Sequence, residues 1–125
     1  MTPYPLAPIE EPDFTASGQF ENARLALRLW GNADMRVKAL IDGFLEEADR
    51  QAIAAGVKEV VVDFRELVFM NSSCLKALVT WLGRVQDRPV AERYAIRFLK
   101  EPAAHWQKRS FNALAAFANE VLTIE

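Results

Sequence analysis

Cysteine and histidine each occur once in this chain, as Cys74 and His105. A lone cysteine excludes an internal disulfide, and the two residues are too few for a Cys/His metal site, so no metal or other cofactor is implied. Glycine is sparse, at 5 of 125 residues, and no glycine-rich phosphate loop is present. No apolar run approaches the ~20 residues needed to cross a bilayer. The opening MTPYPLAPIEEPDF has neither the basic nor the apolar region of an export signal. Neither sign of charge dominates: 15 basic and 17 acidic side chains are interspersed, with a net charge of −2. That leaves no electrostatic footprint for nucleic acid and no polybasic block for an anionic membrane surface. The expected setting is the reducing cytoplasm, with no nucleic-acid partner and no direct membrane insertion.

Apolar side chains are abundant, at 51% of the sequence. A compact chain of this length buries roughly 65–70% of its extended surface, which suits one core. Residues 1–12 hold Pro3, Pro5, Pro8 and Pro12, which withhold backbone donors and favour extended geometry. This stretch reads as an arm: a mobile tail, or an edge cover seated through Tyr4, Leu6 and Ile9. The domain proper is expected over residues 13–125.

Asp13 to Phe20 and Arg24 to Trp30 alternate in polarity, with Leu25, Leu27 and Leu29 on one face, and Glu21 and Asn22 supply the turn of a hairpin. Gly31 to Asp34 then break the strand. Asp34 or Asn32 can cap a helix from Met35 to Ala55, built on Val37, Ile41, Phe44 and Ala48 and stopped by Gly56. Val57 to Phe64 is nearly continuously apolar, as in a central strand covered on both sides. A helix over Ser72 to Asp87 ends before Pro89, and Tyr94 to Leu99 alternates as a further strand. Pro102 suits a first helical turn, and the helix from about Ala103 to Ala118 places Trp106, Ser110, Ala113, Leu114 and Phe117 on one side. Val121 to Ile124 closes the chain as a short strand. The order β-β-α-β-α-β-α-β predicts a single α/β domain: a mixed sheet with an opening hairpin, helices packed on it, and later strands parallel through right-handed crossovers.

The most informative stretch is VVVDFRELVFMNSSCLK, from Val60 to Lys76, where a buried-type strand leads through a loop into two serines and an amphipathic helix. A helix N-terminus has unpaired N–H groups and partial positive charge, so Ser72 or Ser73 can cap the helix there or carry a phosphate. The run Phe69, Met70, Asn71, Ser72, Ser73, Cys74, Leu75 resembles the phosphorylatable signature of the STAS domain family, the anti-sigma-factor antagonists, which is close to F-M-D-S-S-G-L. Asn71 stands where that family usually has Asp, and Cys74 where it usually has Gly. Gly31 and Asp34 match the family's G-x-x-D corner. The resemblance spans nearly everything after residue 13, though only the central motif is specific.

The resemblance implies a STAS-like fold and a phosphate acceptor at Ser72, with Ser73 as its neighbour. It also implies a protein partner, a kinase-like anti-sigma factor, that binds the unmodified antagonist and releases the phosphorylated one. Such a chain would be a non-enzymatic regulatory module. No acid–base pair, nucleophile–base pair or ligand set can be assembled from its residues. The docking surface is expected over Asn71, Ser72, Ser73, Cys74, Lys76, Ala77 and Trp81. Leu75, Leu78, Val79 and Leu82 form the core stripe of this helix, while Cys74, Ala77, Trp81 and Val85 widen the apolar arc. Trp81 is then either core or part of the docking surface. The alternative function is an unphosphorylated STAS accessory or scaffold subunit of a larger complex, such as those that brace a lipid-transport ABC ATPase. His105 reads as a surface histidine, Cys74 as an inert thiol, and Glu46, Glu47 and Asp49 as a solvated helix face.

Overall fold

The computed structural model describes residues 6–125. These form β1 (Ile9–Glu11), β2 (Phe14–Glu21), β3 (Arg24–Ala33), α1 (Lys38–Ala55), β4 (Glu59–Asp63), β5 (Leu67–Met70), α2 (Ser72–Gln86), β6 (Ala95–Leu99), α3 (His105–Phe117) and β7 (Leu122–Ile124). The sheet runs β1-β2-β3-β4-β6-β7, and β5 joins it by pairing with β3. The pairings β1–β2 and β2–β3 are antiparallel, while the pairings β3–β4, β3–β5, β4–β6 and β6–β7 are parallel. The mixed α/β sheet is the expected architecture, enlarged by two short strands, β1 and β5.

Of the two readings of the proline-rich stretch, the described part of it follows the edge cover. Ile9–Glu11 pair with Phe14–Ala16, and Leu6 is buried, so residues 6–12 belong to the folded body. Expectations for residues 1–5, Tyr4 among them, lie outside the described residues.

Local chemistry explains the corners. Asn22 takes the left-handed conformation, which its short polar side chain tolerates, and turns β2 into β3. Gly31 has φ +99°, and a Cβ there would lie 2.2 Å from the Asp13 carbonyl oxygen. β3 continues past this irregularity to Ala33, so the strand is distorted at Gly31 and ends only two residues later. Asp34 Oδ1 then accepts the Arg36 N–H at 2.9 Å, capping a 3-10 turn over Met35–Val37 that precedes α1. Gly56, at φ 66°, closes α1 in the left-handed conformation.

A single apolar cluster joins Leu25, Leu27 and Leu29 of β3, Val60 and Val62 of β4, and Ile96 and Phe98 of β6 to Ile41 and Leu45 of α1, Leu78 and Leu82 of α2, and Phe111 of α3. The helices therefore share one face of the sheet. β4 is covered on both sides, as expected, but on the second side by side chains and not by a helix: Val61 faces away from that cluster yet is only 7% exposed. Arg24, Arg28 and Arg65 line the depression around it. Ion pairs lace this face: Glu59 meets Arg97 at 3.1 Å and Arg24 at 3.9 Å, Arg97 meets Glu125 at 2.9 Å, and Arg65 meets Asp63 at 2.9 Å. The stems of Arg24, Arg28 and Arg65 thus supply apolar cover while their heads reach solvent.

α3 starts at His105, two residues later than expected, and Pro102 lies in the turn before it. Its buried face is Gln107, Phe111 and Leu114, while Phe117 is exposed. The phase is set by Phe111, whose ring packs 4.8 Å from Phe64 and 5.2 Å from Phe98.

Asp49 on α1 is buried, not part of the solvated face expected from the sequence. Arg88 donates two hydrogen bonds to its carboxylate, at 2.9 and 2.5 Å, and the Tyr94 hydroxyl donates one at 2.6 Å. The Trp81 indole N–H donates to the Tyr94 oxygen at 2.8 Å. This network ties α1, α2, the segment after α2 and the strand entry at Tyr94 together. Burial acts to raise the Asp49 pKa, but hydrogen bonds from Arg88 and Tyr94, and the charges of Arg88 and Arg84, outweigh it and hold the carboxyl below its ordinary value.

Asp49→Ala strips the partner from a largely buried guanidinium and a buried phenol, so urea unfolding should show a loss of about 3 kcal/mol. Because the folded carboxyl titrates below its unfolded value of about 3.9, its contribution is complete above that pH and drains away as pH falls through the folded value. The stability gap between the wild type and Asp49→Asn should therefore narrow as pH falls from about 5 to 2. The two left-handed glycines should respond unequally to alanine. Gly56→Ala meets open space and costs about 1 kcal/mol, whereas Gly31→Ala meets backbone and costs more than about 3 kcal/mol, as thermal denaturation would read.

Candidate partner-docking site

The start of α2 is built from two directions. From β5, the Asn71 N–H donates to the Ala33 carbonyl at 2.9 Å, fixing the helix entry against the end of β3. From the side chain, Asn71 Oδ1 accepts the Cys74 N–H at 2.9 Å. Asn71 is therefore the N-cap, where the sequence suggested Ser72 or Ser73. Asn and Asp cap about equally well, so replacing the acid removes a charge and keeps the cap. Ser72 and Ser73 become the first two helical residues and are relieved of capping; Ser72 is exposed and Ser73 half-buried.

Cys74, Ala77 and Trp81 are buried, which takes them off the expected docking surface. The widened arc is the core contact itself: α2 must cover the sheet with Leu78 and Leu82 and also meet α1. The Trp81 ring stacks on Phe98, with centroids 6.4 Å apart, and its N–H is spent on Tyr94. Ala77 and Trp81 reach only the floor of a shallow groove between α1 and α2, alongside Lys38, Asp42, Thr80 and Arg84. In the core stripe, Leu75 is half-buried and Val79 exposed. Cys74 Sγ donates to the Asp34 carbonyl at 3.3 Å, so the side chain standing in for glycine fills the space against the G-x-x-D corner. Burial pushes its thiol pKa up, and the carboxylates of Asp34 and Asp42 push it further.

Three of the seven residues are thus packing residues, and Asn71, Ser72, Ser73 and Lys76 keep at least partial access to solvent. The structure adds apolar neighbours that the sequence reading missed. Val68 is 67% exposed and Phe69 47%, both on β5 immediately before the helix. Met35 is 69% exposed and directly follows Asp34. Phe69 pairs in register with Asn32, just past the irregularity at Gly31, and that shift places two successive apolar residues of β5 in solvent. The run Leu67–Met70 was visible in the sequence, but nothing in it marked which pair would face outward.

Near this site the Arg36 side chain and N–H hold the Asp34 carboxyl below its usual range, and Lys38 pairs with Asp42 at 2.5 Å. Among the described residues, no group of His, Cys, Asp and Glu is arranged to hold a metal ion, and no helix is long and apolar enough to cross a membrane. His105 is exposed at the start of α3.

No protein-family model matches the sequence, and no curated protein is similar to it in sequence. Solved structures are similar in fold. An anti-sigma factor antagonist from Mycobacterium paratuberculosis superposes with a TM-score of 0.66 at 14% identity, over 93% of this chain and 89% of that one. The Bacillus cell fate determinant SpoIIAA in its phosphorylated form gives 0.57 at 18% identity, over 88% and 90%. The anti-sigma factor antagonist SpoIIAA in its unphosphorylated form gives 0.60 at 14% identity, over 88% and 87%. With a mixed sheet, helices on one face and a serine-led second helix, this chain has the STAS-type fold of the anti-sigma factor antagonists.

Proposed function

We propose that the chain is a non-enzymatic regulatory module of the anti-sigma-factor-antagonist type, which docks on a kinase-like partner through the start of α2 and is controlled by phosphorylation of Ser72. The observation that carries this reading is the exposed Ser72 at the first turn of α2, beside the exposed Phe69 and Val68, with the capping task taken over by Asn71. A phosphate there adds about −1.5 to −2 charges where the helix dipole favours them, so the fold tolerates it. The cost falls on the complex: a dianion beside apolar contact residues must be desolvated when a partner covers it. The similarity to one antagonist solved in both phosphorylated and unphosphorylated forms supports the same reading.

Asn71 and Cys74 also suit the alternative of an unphosphorylated accessory subunit. Both residues are absorbed structurally, one by the cap and one by the corner, and neither adds charge to the surface. Intact-mass measurement of protein from its native cells separates the two roles, since phosphate on Ser72 belongs only to the switch.

The decisive test offers the purified chain and Mg-ATP to a kinase-like anti-sigma factor from the same genome. Wild type should gain one phosphate, on Ser72. Ser72→Asp should weaken binding by more than about tenfold, with Ser72→Ala near wild type and both thermal midpoints unchanged. Equal binding by the two variants would overturn the switch.

A further inference from the structure

We infer that Gln107 and Trp106, at the start of α3, are positioning residues for the docking segment, holding β5 and its exposed Val68–Phe69 pair in front of Ser72. The inference rests on the docking role proposed for that segment. Among the described residues, β5 pairs with one strand only, β3. Its other edge has carbonyl groups and no neighbouring strand, and buried carbonyls left unpaired are costly. Side chains of α3 occupy that edge. Gln107 is fully buried, and its Nε2 donates to the Phe64 carbonyl at 2.8 Å and the Leu67 carbonyl at 3.0 Å. Its Oε1 accepts the Glu101 N–H at 2.8 Å. The Trp106 indole N–H donates to the Val68 carbonyl at 2.9 Å.

A carboxamide has the same donor and acceptor as a peptide group, so Gln107 does what a flanking strand would do, from a helix. The β4–β5 turn, β5 and the loop before α3 are joined by this one side chain. The place of the outward-facing Val68 and Phe69 is therefore set by α3 on one side and by β3 on the other. Among the described residues, no other buried side chain in the helices binds the backbone of this turn.

The test compares wild type with Trp106→Phe, which keeps a ring and loses the N–H, and with Gln107→Leu, which keeps bulk and loses all three hydrogen bonds. Hydrogen exchange is read on peptides covering residues 64–71 and, as the internal reference, residues 14–33. Trp106→Phe should speed exchange in 64–71 by roughly three- to tenfold with the hairpin unchanged. It should also weaken binding to the kinase-like partner by a similar factor at an unchanged thermal midpoint. Gln107→Leu should act in the same direction and more strongly; if it unfolds, Trp106→Phe alone decides. Exchange that stays at wild-type rates in 64–71, or rises equally in 14–33, would overturn the inference. Local loosening with undiminished binding would also overturn it, because the segment would then be held but not used. A wild-type chain that binds no kinase-like partner would sink the docking role itself, and the exchange result would still show whether α3 holds β5.

Discussion

β3 has to serve two partners along a single edge. Its first half, Arg24–Arg28, pairs with β4, and its last residues, Gly31–Ala33, pair with β5. The changeover requires a kink, and Gly31 supplies it: its conformation suits glycine, and the Asp13 carbonyl leaves no room for a side chain. Where β3 ends determines where β5 ends, and the hydrogen bond from Asn71 to Ala33 makes that the start of α2. Asp34, one residue further on, receives the Cys74 thiol. The corner and the serine motif, 40 residues apart in sequence, are thus one structural unit, and the position of Ser72 follows from backbone pairing.

The two faces of the sheet solve the same problem by different means. On one, helices bury leucine, valine and phenylalanine in a continuous cluster, and the two buried polar residues among the described ones are hydrogen-bonded, Asp49 by Arg88 and Tyr94 and Gln107 by three backbone groups. On the other, alternating arginine and carboxylate side chains cover a thinner apolar layer centred on Val61. A face closed by hydrated ion pairs offers little to a protein partner, and its individual pairs contribute little stability. The large apolar side chains next to Ser72 are the contrasting case, since they are exposed at one end of the same sheet.

Elements with a strong period were legible in the sequence: the hairpin, α1, the valine strand and α2 all lie within a few residues of where alternation or helical spacing put them. β1 and β5 were not, because three and four residues are too few to show a period, and β5 is interrupted by the register shift at Gly31. Two hydroxyls at the head of the helix read as its cap, yet Asn71, one residue earlier, caps with its oxygen as an aspartate would. Asp49 looked solvated because its partners, Arg88 and Tyr94, lie 39 and 45 residues away. Trp81 remained ambiguous for the same reason: its hydrogen-bond partner enters only after the chain has turned back into β6. Spacing within a helix tells which residues share a side, and only the tertiary fold tells which side is covered.

The enclosure of Cys74 has a practical corollary. The chain's sole sulfhydryl is buried between α2 and the Asp34 corner, and burial and nearby acids raise its pKa, so slow reaction with alkylating reagents is the expectation while the native fold persists. Every opening that frees the serine-led helix from β3 would expose this sulfur to capture. The protein thus carries its own covalent clock for the integrity of the segment around Ser72, and a second cysteine introduced anywhere on the surface could be labelled alone.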